Sequence, residues 1–388
     1  MLPFLSSWLE PFWGPFRLLS SRIVLMMIGV LLCASLVWWL LPHCYGFLPH
    51  DRGKNFVKDS ALSKGKPTGA GMPLVLIYLF CAFLVLPFYT EYALIGLCLL
   101  AIMLTGYFDD RSTASWGELK KGLLDLAISL AAAWVIAHWQ SPRIWLPFVK
   151  SGHDGGCFLV PLYVYIPVAA SLLWLTINTV NCSDGVDGVA GSLALFGLCG
   201  MGAFLYGIMG HSTVSAYLLL PLVENGASWA IMLLTAAGAL AAYLWYNASP
   251  SQVMMGDAGS RFFGLLLGLS ILASGNPFML LAIAPILFVN GGAGLIKLVV
   301  LRLLKRLGFD TRPPLSAVPN PIHPENFASD EEAARQIPLV RLLHRYRFPI
   351  HDHCRKNLGW SDTQVLMRFM LLQALIMPIV IILMVKLR

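Results

Sequence analysis

Residues 22–41 read RIVLMMIGVLLCASLVWWLL, twenty residues with one charge, at the first position. A helix rises about 1.5 Å per residue, so roughly 20 apolar residues cross the hydrocarbon of a bilayer. The stretch predicts a membrane span, and the pattern repeats near 73–89, 92–107, 122–138, 158–177, 187–208, 228–246, 261–274, 278–304 and 364–385. The eighth of these ten is the shortest, and the apolar residues 215–223 are too few to cross. Composition agrees. Of 388 residues, 57% are hydrophobic and 12% charged, against about 45–50% and about 25% in a soluble domain. Mean hydropathy is +0.72. The expected fold is an all-α polytopic integral membrane protein with about ten transmembrane helices. Its first partner is a lipid bilayer. A soluble enzyme, a disordered chain and a nucleic-acid partner are excluded.

Around these spans, residues 1–21 mix Trp, Phe and Pro with one Arg, Arg17, and read as an interfacial segment. Residues 22–388 form the helical domain, with 308–348 as an inserted, Pro-rich and then acidic stretch. The eight cysteines fall mostly within apolar runs and include no CxxC pair, so they read as small buried hydrophobes. Orientation follows from Lys and Arg. The loops after spans one, three, five, seven and nine carry eighteen, Arg261 among them; the opposite side carries six. The basic loops are therefore expected in the cytoplasm and both termini outside. The net charge of +7 fits anionic lipid or an anionic substrate.

Five carboxylates collect on the basic face, and ionisable groups beside lipid are functional candidates by default. Asp109 and Asp110 end the third span after Gly106-Tyr107-Phe108. Two adjacent carboxylates repel, and a cation or a bound proton relieves that. A solvated acidic helix end is the simpler alternative. Asn178-Thr-Val-Asn181-Cys-Ser-Asp184-Gly185-Val-Asp187-Gly188 follows the fifth span. Asn178 and Asn181 share a helix face, and two Asp-Gly steps make a tight polar turn. Asn247 opens a loop to Met254-Met255-Gly256-Asp257-Ala258-Gly259-Ser260, where glycines bare the backbone around one carboxylate. Such a loop entering a helix suits phosphate and a hard metal. His351 and His353 sit late in the ninth loop, as metal ligands, phosphate donors or solvated side chains. Gly65 to Gly71 sets Lys66 and Thr68 in Gly-rich backbone, without the order of a P-loop. Together these residues describe phosphate chemistry with a divalent cation at the membrane surface.

The order Pro67-Thr68-x-x-Gly71, Phe108-Asp109-Asp110, Asn178-x-x-Asn181-x-x-Asp184-Gly185-x-Asp187-Gly188, Met255-Gly256-Asp257-x-Gly259-Ser260 and Pro349-Ile350-His351-x-His353 resembles the polyprenyl-phosphate sugar-phosphate transferases. With Gly359-Trp360-Ser361 and Arg368-Phe369 it is similar, more narrowly, to the phospho-N-acetylmuramoyl-pentapeptide transferase family, over residues 51–388. The resemblance implies transfer of phospho-N-acetylmuramoyl-pentapeptide from UDP-N-acetylmuramoyl-pentapeptide to undecaprenyl phosphate, giving lipid I and UMP. It also implies Mg²⁺ as cofactor, the bacterial inner membrane as location, and homodimers as one state of assembly. It places Asp257 on the metal with Asp109 and Asp110, and Asp109 as a base for the nucleophile. Asn181, Asp184, Gly185 and Asp187 line the nucleotide and diphosphate pocket, with Asn178, Asn247, Met254 and Thr68 beside it. Lys64, and one or both of Lys120 and Lys121, bind phosphate. His351 contacts substrate, with His353 near. Direct transfer and a phospho-enzyme both remain open.

The chain departs from the family pattern at named points. Asp352 replaces the middle His of a triplet, Cys354-Arg355 a Phe-Glu, and Asn290 a Glu in the ninth span. Met254 stands where an aromatic residue stacks on uracil. Thr113 and Ser63 replace lysines, with Lys64 adjacent to the latter. Three other functions compete. A UDP-N-acetylhexosamine donor keeps the chemistry. An ion-coupled transporter predicts acidic groups inside spans. An inactive scaffold follows from the altered histidine motif.

Overall fold

The computed structural model describes residues 1–51, 65–113, 116–140, 142–147, 149, 157–315 and 327–386. The protein is helical, with α1 Leu2–Leu9, α2 Arg22–Cys44, α3 Gly71–Val85, α4 Thr90–Arg111, α5 Glu118–Trp139 and α6 Leu162–Ser183. There follow α7 Val189–Ala203, α8 Gly226–Asn247, α9 Gly256–Ala273, α10 Ala293–Arg306, α11 Ile350–Lys356 and α12 Asp362–Lys386. Among the described residues eight helices are long and apolar enough to cross a membrane. Two of the ten expected spans fall short of that measure. Helix α3 has only 15 residues. Helix α9 carries Asp257 and Arg261 within its 18 residues.

Helix α9 is the axis of the molecule. Every residue from Ala258 to Ala273 is buried, and a helix apolar nearly all round belongs inside a bundle. It packs against α6, α4 and α3. Contact with α6 is close because Gly264 and Gly268 face it. A Cβ at Gly264 would lie 2.5 Å from the Ile177 Cα, so only hydrogen fits there. At the far end of α9, β1 (Arg143–Trp145) and β2 (Cys157–Leu159) pair antiparallel, Arg143 opposite Leu159. Trp145 fixes this hairpin to the helix, donating its backbone N–H to Gly275 O at 2.9 Å and Nε1–H to Ser274 O at 2.7 Å. The hairpin and the first turn of α9 thus lie at opposite ends of one helix.

Several boundaries differ from those expected. The fifth span extends to Ser183, so Asn178 and Asn181 sit on helix α6 rather than after it. Arg261, expected in a loop, is buried on α9. The expected run 278–304 is broken at Ala284, whose φ of −136° and ψ of 51° are not helical. Pro285 follows, and the residue before proline is driven out of the helical region. Within residues 308–348, expected as an insertion, Ser329 and Glu332 form a capping box at the start of the helix Asp330–Arg335. At the N-terminus, the Met1 amine bonds to Phe83 O and Leu86 O, both at 3.1 Å, which ties α1 to the end of α3.

Candidate active site

Three helix ends meet where α4 stops and α3 and α9 begin. Their backbones touch because glycines face each other. A Cβ at Gly71 would lie 2.0 Å from Gly259 N, and one at Gly106 would lie 2.5 Å from the Asp257 carbonyl carbon. Gly256 adopts φ +71°, a conformation open to glycine at little cost. Asp110 then caps α9. Its two oxygens accept the backbone N–H of Asp257 at 3.0 Å and of Ala258 at 3.1 Å. A carboxylate on the free N–H groups of a helix start also meets the positive end of the helix dipole.

Beside this cap lies a charge network. The Lys121 ammonium sits between Asp109 Oδ2 and Asp257 Oδ2, 3.1 Å from the latter. Asn181 Nδ2 donates to Asp257 Oδ1 and to Ser260 Oγ, each at 3.0 Å. Arg261 donates through Nη2 to Asp257 Oδ2 at 3.1 Å and through Nη1 to Asp125 Oδ1 at 3.3 Å. Asp109 Oδ1 accepts the Trp116 N–H at 2.7 Å. The Asp109 side chain is 5% exposed, but those of Lys121 and Asp257 are 26% and 23% exposed. The network is thus reached from solvent through Lys121 and Asp257.

A second network joins the other loops. Gly188 donates its N–H to Asn247 Oδ1 at 2.8 Å, and Asn247 Nδ2 donates to Val253 O at 2.8 Å. Asp187 accepts the N–H and hydroxyl of Ser251, at 3.1 and 2.8 Å, and Lys66 Nζ donates to that hydroxyl oxygen at 3.2 Å. Met254 exchanges backbone bonds with Pro67 and Ala70, and Thr68 N–H reaches Pro49 O. Half-buried Asp184 ends α6, and Asn178 Nδ2 donates to Trp174 O at 2.9 Å.

His351 joins the Asp184–Gly188 turn from α11. Its backbone N–H donates to Asn290 Oδ1 at 2.9 Å, and Nδ1 lies 3.1 Å from the same oxygen. An oxygen already accepting one donor fixes the tautomer, with the proton on Nδ1 and the lone pair on Nε2. A Cβ at Gly185 would lie 2.5 Å from Nε2, so the ring stands against the bare turn. Burial pushes the imidazole down to about 4, assisted by Arg355 and Lys356 and opposed by Asp352.

The structure therefore gathers Asp109, Asp110, Lys121, Asn181 and Asp257 at one place. Beside them it puts Asp187, Asn247, Met254 and Thr68 in a shared loop network, and His351 against Gly185. It separates Lys121 from Lys120, whose ammonium lies 3.5 Å over the Trp116 ring. His353 turns away to accept the Arg347 N–H at 3.4 Å, its ring 5.4 Å from Tyr346. Lys64 lies outside the described residues. Asp125, Arg261 and Ser251 escaped the sequence reading. The first two had a legible sign: Lys121/Asp125 and Asp257/Arg261 are both spaced i, i+4, one charge of each sign on a helix face.

Among the described residues, no three His, Cys, Asp or Glu side chains form a ready cage for an ion. Asp110, expected as a metal ligand, has both oxygens committed to the cap of α9. Asp257, whose side chain is reached from solvent, remains as a hard oxygen donor, with the Lys121 ammonium beside it and Asp109 behind. Mg²⁺ takes one or two carboxylates plus waters and substrate phosphates. Counted as formal charges, Asp109, Asp110, Asp125 and Asp257 against Lys121 and Arg261 leave an excess of two negative, matching one divalent cation. The residues fit Mg²⁺.

Residues 92–275 match the family model described as glycosyl transferase family 4. The chain is 39% identical over 373 residues to a phospho-N-acetylmuramoyl-pentapeptide-transferase of Treponema pallidum (strain Nichols), spanning 95% of this chain and 92% of that one. Relatives of the same name match at 26% identity in Campylobacter lari, over 83% and 82% of the two chains, and at 23% in Borreliella afzelii, over 96% and 100%.

Proposed function

Because the chain belongs to the phospho-N-acetylmuramoyl-pentapeptide transferase family, we propose that it makes lipid I. In this reading UDP-N-acetylmuramoyl-pentapeptide and undecaprenyl phosphate meet at the Asp109–Lys121–Asp257 network. An oxygen of the lipid phosphate bonds to the sugar-bearing phosphorus of the donor. The bond from that phosphorus to the bridging oxygen breaks, and UMP leaves with the electron pair. The observation that carries the reading is the convergence of Lys121, Asn181 and Asp257 beside a capped helix N-terminus, with two negative charges left over.

Each residue has a task that follows from its contacts. Asp257, with Asp109 behind it, would hold Mg²⁺, which would supply a Lewis acid to offset the charge of the donor diphosphate. Lys121 donates to phosphate oxygens from between the two carboxylates. Asn181 fixes the rotamer of Asp257. Asp110 holds the α9 N-terminus in place. Asp109 has both oxygens engaged, so it orients Lys121 rather than taking a proton. No base is required, since a phosphate monoester is mostly dianionic above its second pKa of about 6. His351, neutral and pinned by Asn290, stiffens the Gly185 turn and offers the Nε2 lone pair beside it. The Asp187–Ser251–Lys66 chain shapes the loop that receives the nucleotide. The basic loops support a cytoplasmic place for this face, where a UDP donor is available.

The test is UMP release by purified protein with undecaprenyl phosphate and Mg²⁺. Release is expected from the pentapeptide donor, and neither from UDP-N-acetylglucosamine nor in EDTA. UMP from the second donor alone would keep the chemistry and replace the substrate.

A further inference from the structure

Arg261 and Asp125 are 2% and 1% exposed, the most deeply buried charges in the site. An isolated guanidinium is costly to bury, and Asp125 offsets that cost. Apolar residues of similar volume usually replace a buried pair at no loss of stability. Stability alone therefore does not explain the pair, and its geometry gives it a second task. Arg261 touches both Asp125 Oδ1 and Asp257 Oδ2, so a permanent positive charge lies 3.1 Å from the proposed metal ligand, with a negative charge directly behind it.

We propose that Arg261 and Asp125 form a positioning pair that sets the cation affinity of Asp257. The inference rests on the reading of Asp257 as a divalent-cation ligand. Arg261 weakens the pull of Asp257 on a cation and fixes its Oδ2. Asp125 moderates that weakening and holds the guanidinium in line. The i, i+4 step from Asp257 to Arg261 makes the contact part of the helix, so it does not depend on loop order.

The signs of the charges make the test decisive. Binding of Mn²⁺ to the full-length protein in detergent at pH 8 is measured by electron paramagnetic resonance. Asp257→Ala serves to mark the site. Arg261→Met leaves up to three net negative charges and is expected to bind Mn²⁺ tighter, by up to about tenfold, as one charge acts through partly wet protein. Asp125→Asn leaves one net negative charge and is expected to bind about tenfold weaker. The double variant restores two and returns to within about threefold of the wild type. Arg261→Lys stays close to the wild type, and Arg261→Met has a lower kcat at saturating metal because Asp257 loses an orienting donor. A purely structural pair would shift both single variants in the same direction, or neither, and either result overturns the proposal. Wild-type protein that binds no Mn²⁺, or binding that survives Asp257→Ala, overturns instead the cation reading on which it stands.

Discussion

Lys120 and Lys121 are neighbours in sequence with different surroundings. Lys121 bridges Asp109 and Asp257, whereas Lys120 rests on an indole at the surface. Lys121→Ala should lower turnover by about 10²–10³-fold, the cost of removing one preorganised charge donor. Lys120→Ala should stay within about threefold, since an exposed cation–π contact contributes about 0.5–1 kcal/mol. Equal losses in a UMP assay would contradict the placement. His351 makes a prediction in pH. Its folded imidazole is pushed down to about 4 by burial, below the unfolded value of about 6.5. The unfolded state therefore takes the proton first. About 3 kcal/mol of stability is present above pH 6.5 and is lost as pH falls towards 4. The thermal midpoint of the wild type should drop over that window, and His351→Gln should flatten the drop. Identical curves would mean that the ring is solvated. The sequence offered both histidines as equals; only the fold separates His351, pinned by Asn290, from His353.

At the scale of elements, the site depends on three helix ends pressed together. Gly106 on α4 allows the contact, since a Cβ there would strike the Asp257 backbone, which cannot rotate away. Gly106→Ala should cost about 1–3 kcal/mol as an overpacked contact and lower turnover about tenfold or more by displacing Asp257. Gly96→Ala, on the same helix with its nearest neighbour at 3.9 Å, is the control and should change neither. Most elements were legible as apolar runs. The exceptions have physical causes. Asn178 and Asn181 read as one helix face beyond the end of the fifth span, because Asn is polar for an apolar run; α6 runs on to carry them, Asn178 bonding back to Trp174 O and Asn181 to Asp257. Arg261 read as a loop cation because its partner, Asp125, lies 136 residues away on another helix. A one-dimensional pattern shows the spacing of a charge pair but not which helix it faces.

Across the whole molecule, the polar network and the β1–β2 hairpin stand at opposite ends of α9, which fixes the site to one side of the membrane. By the lysine and arginine distribution that side is expected in the cytoplasm and both termini outside. Alkaline phosphatase fused after Arg388 should therefore be active, and the same enzyme placed in the 308–348 insertion inactive; the reverse pattern would invert the topology. The fold class could be read from the apolar runs, and the candidate residues from their spacing. The division of labour among the carboxylates could not. Asp109, Asp110 and Asp257 look alike in sequence, and contacts alone make one a lysine anchor, one a helix cap and one the accessible carboxylate. The central claim is that Asp257 is the acidic group on which transfer turns. Its most direct test is the turnover of Asp257→Asn, a change of one charge with shape kept. A loss of about 10³-fold or more is expected, with a thermal midpoint near that of the wild type. A variant retaining more than about a tenth of wild-type turnover would contradict it.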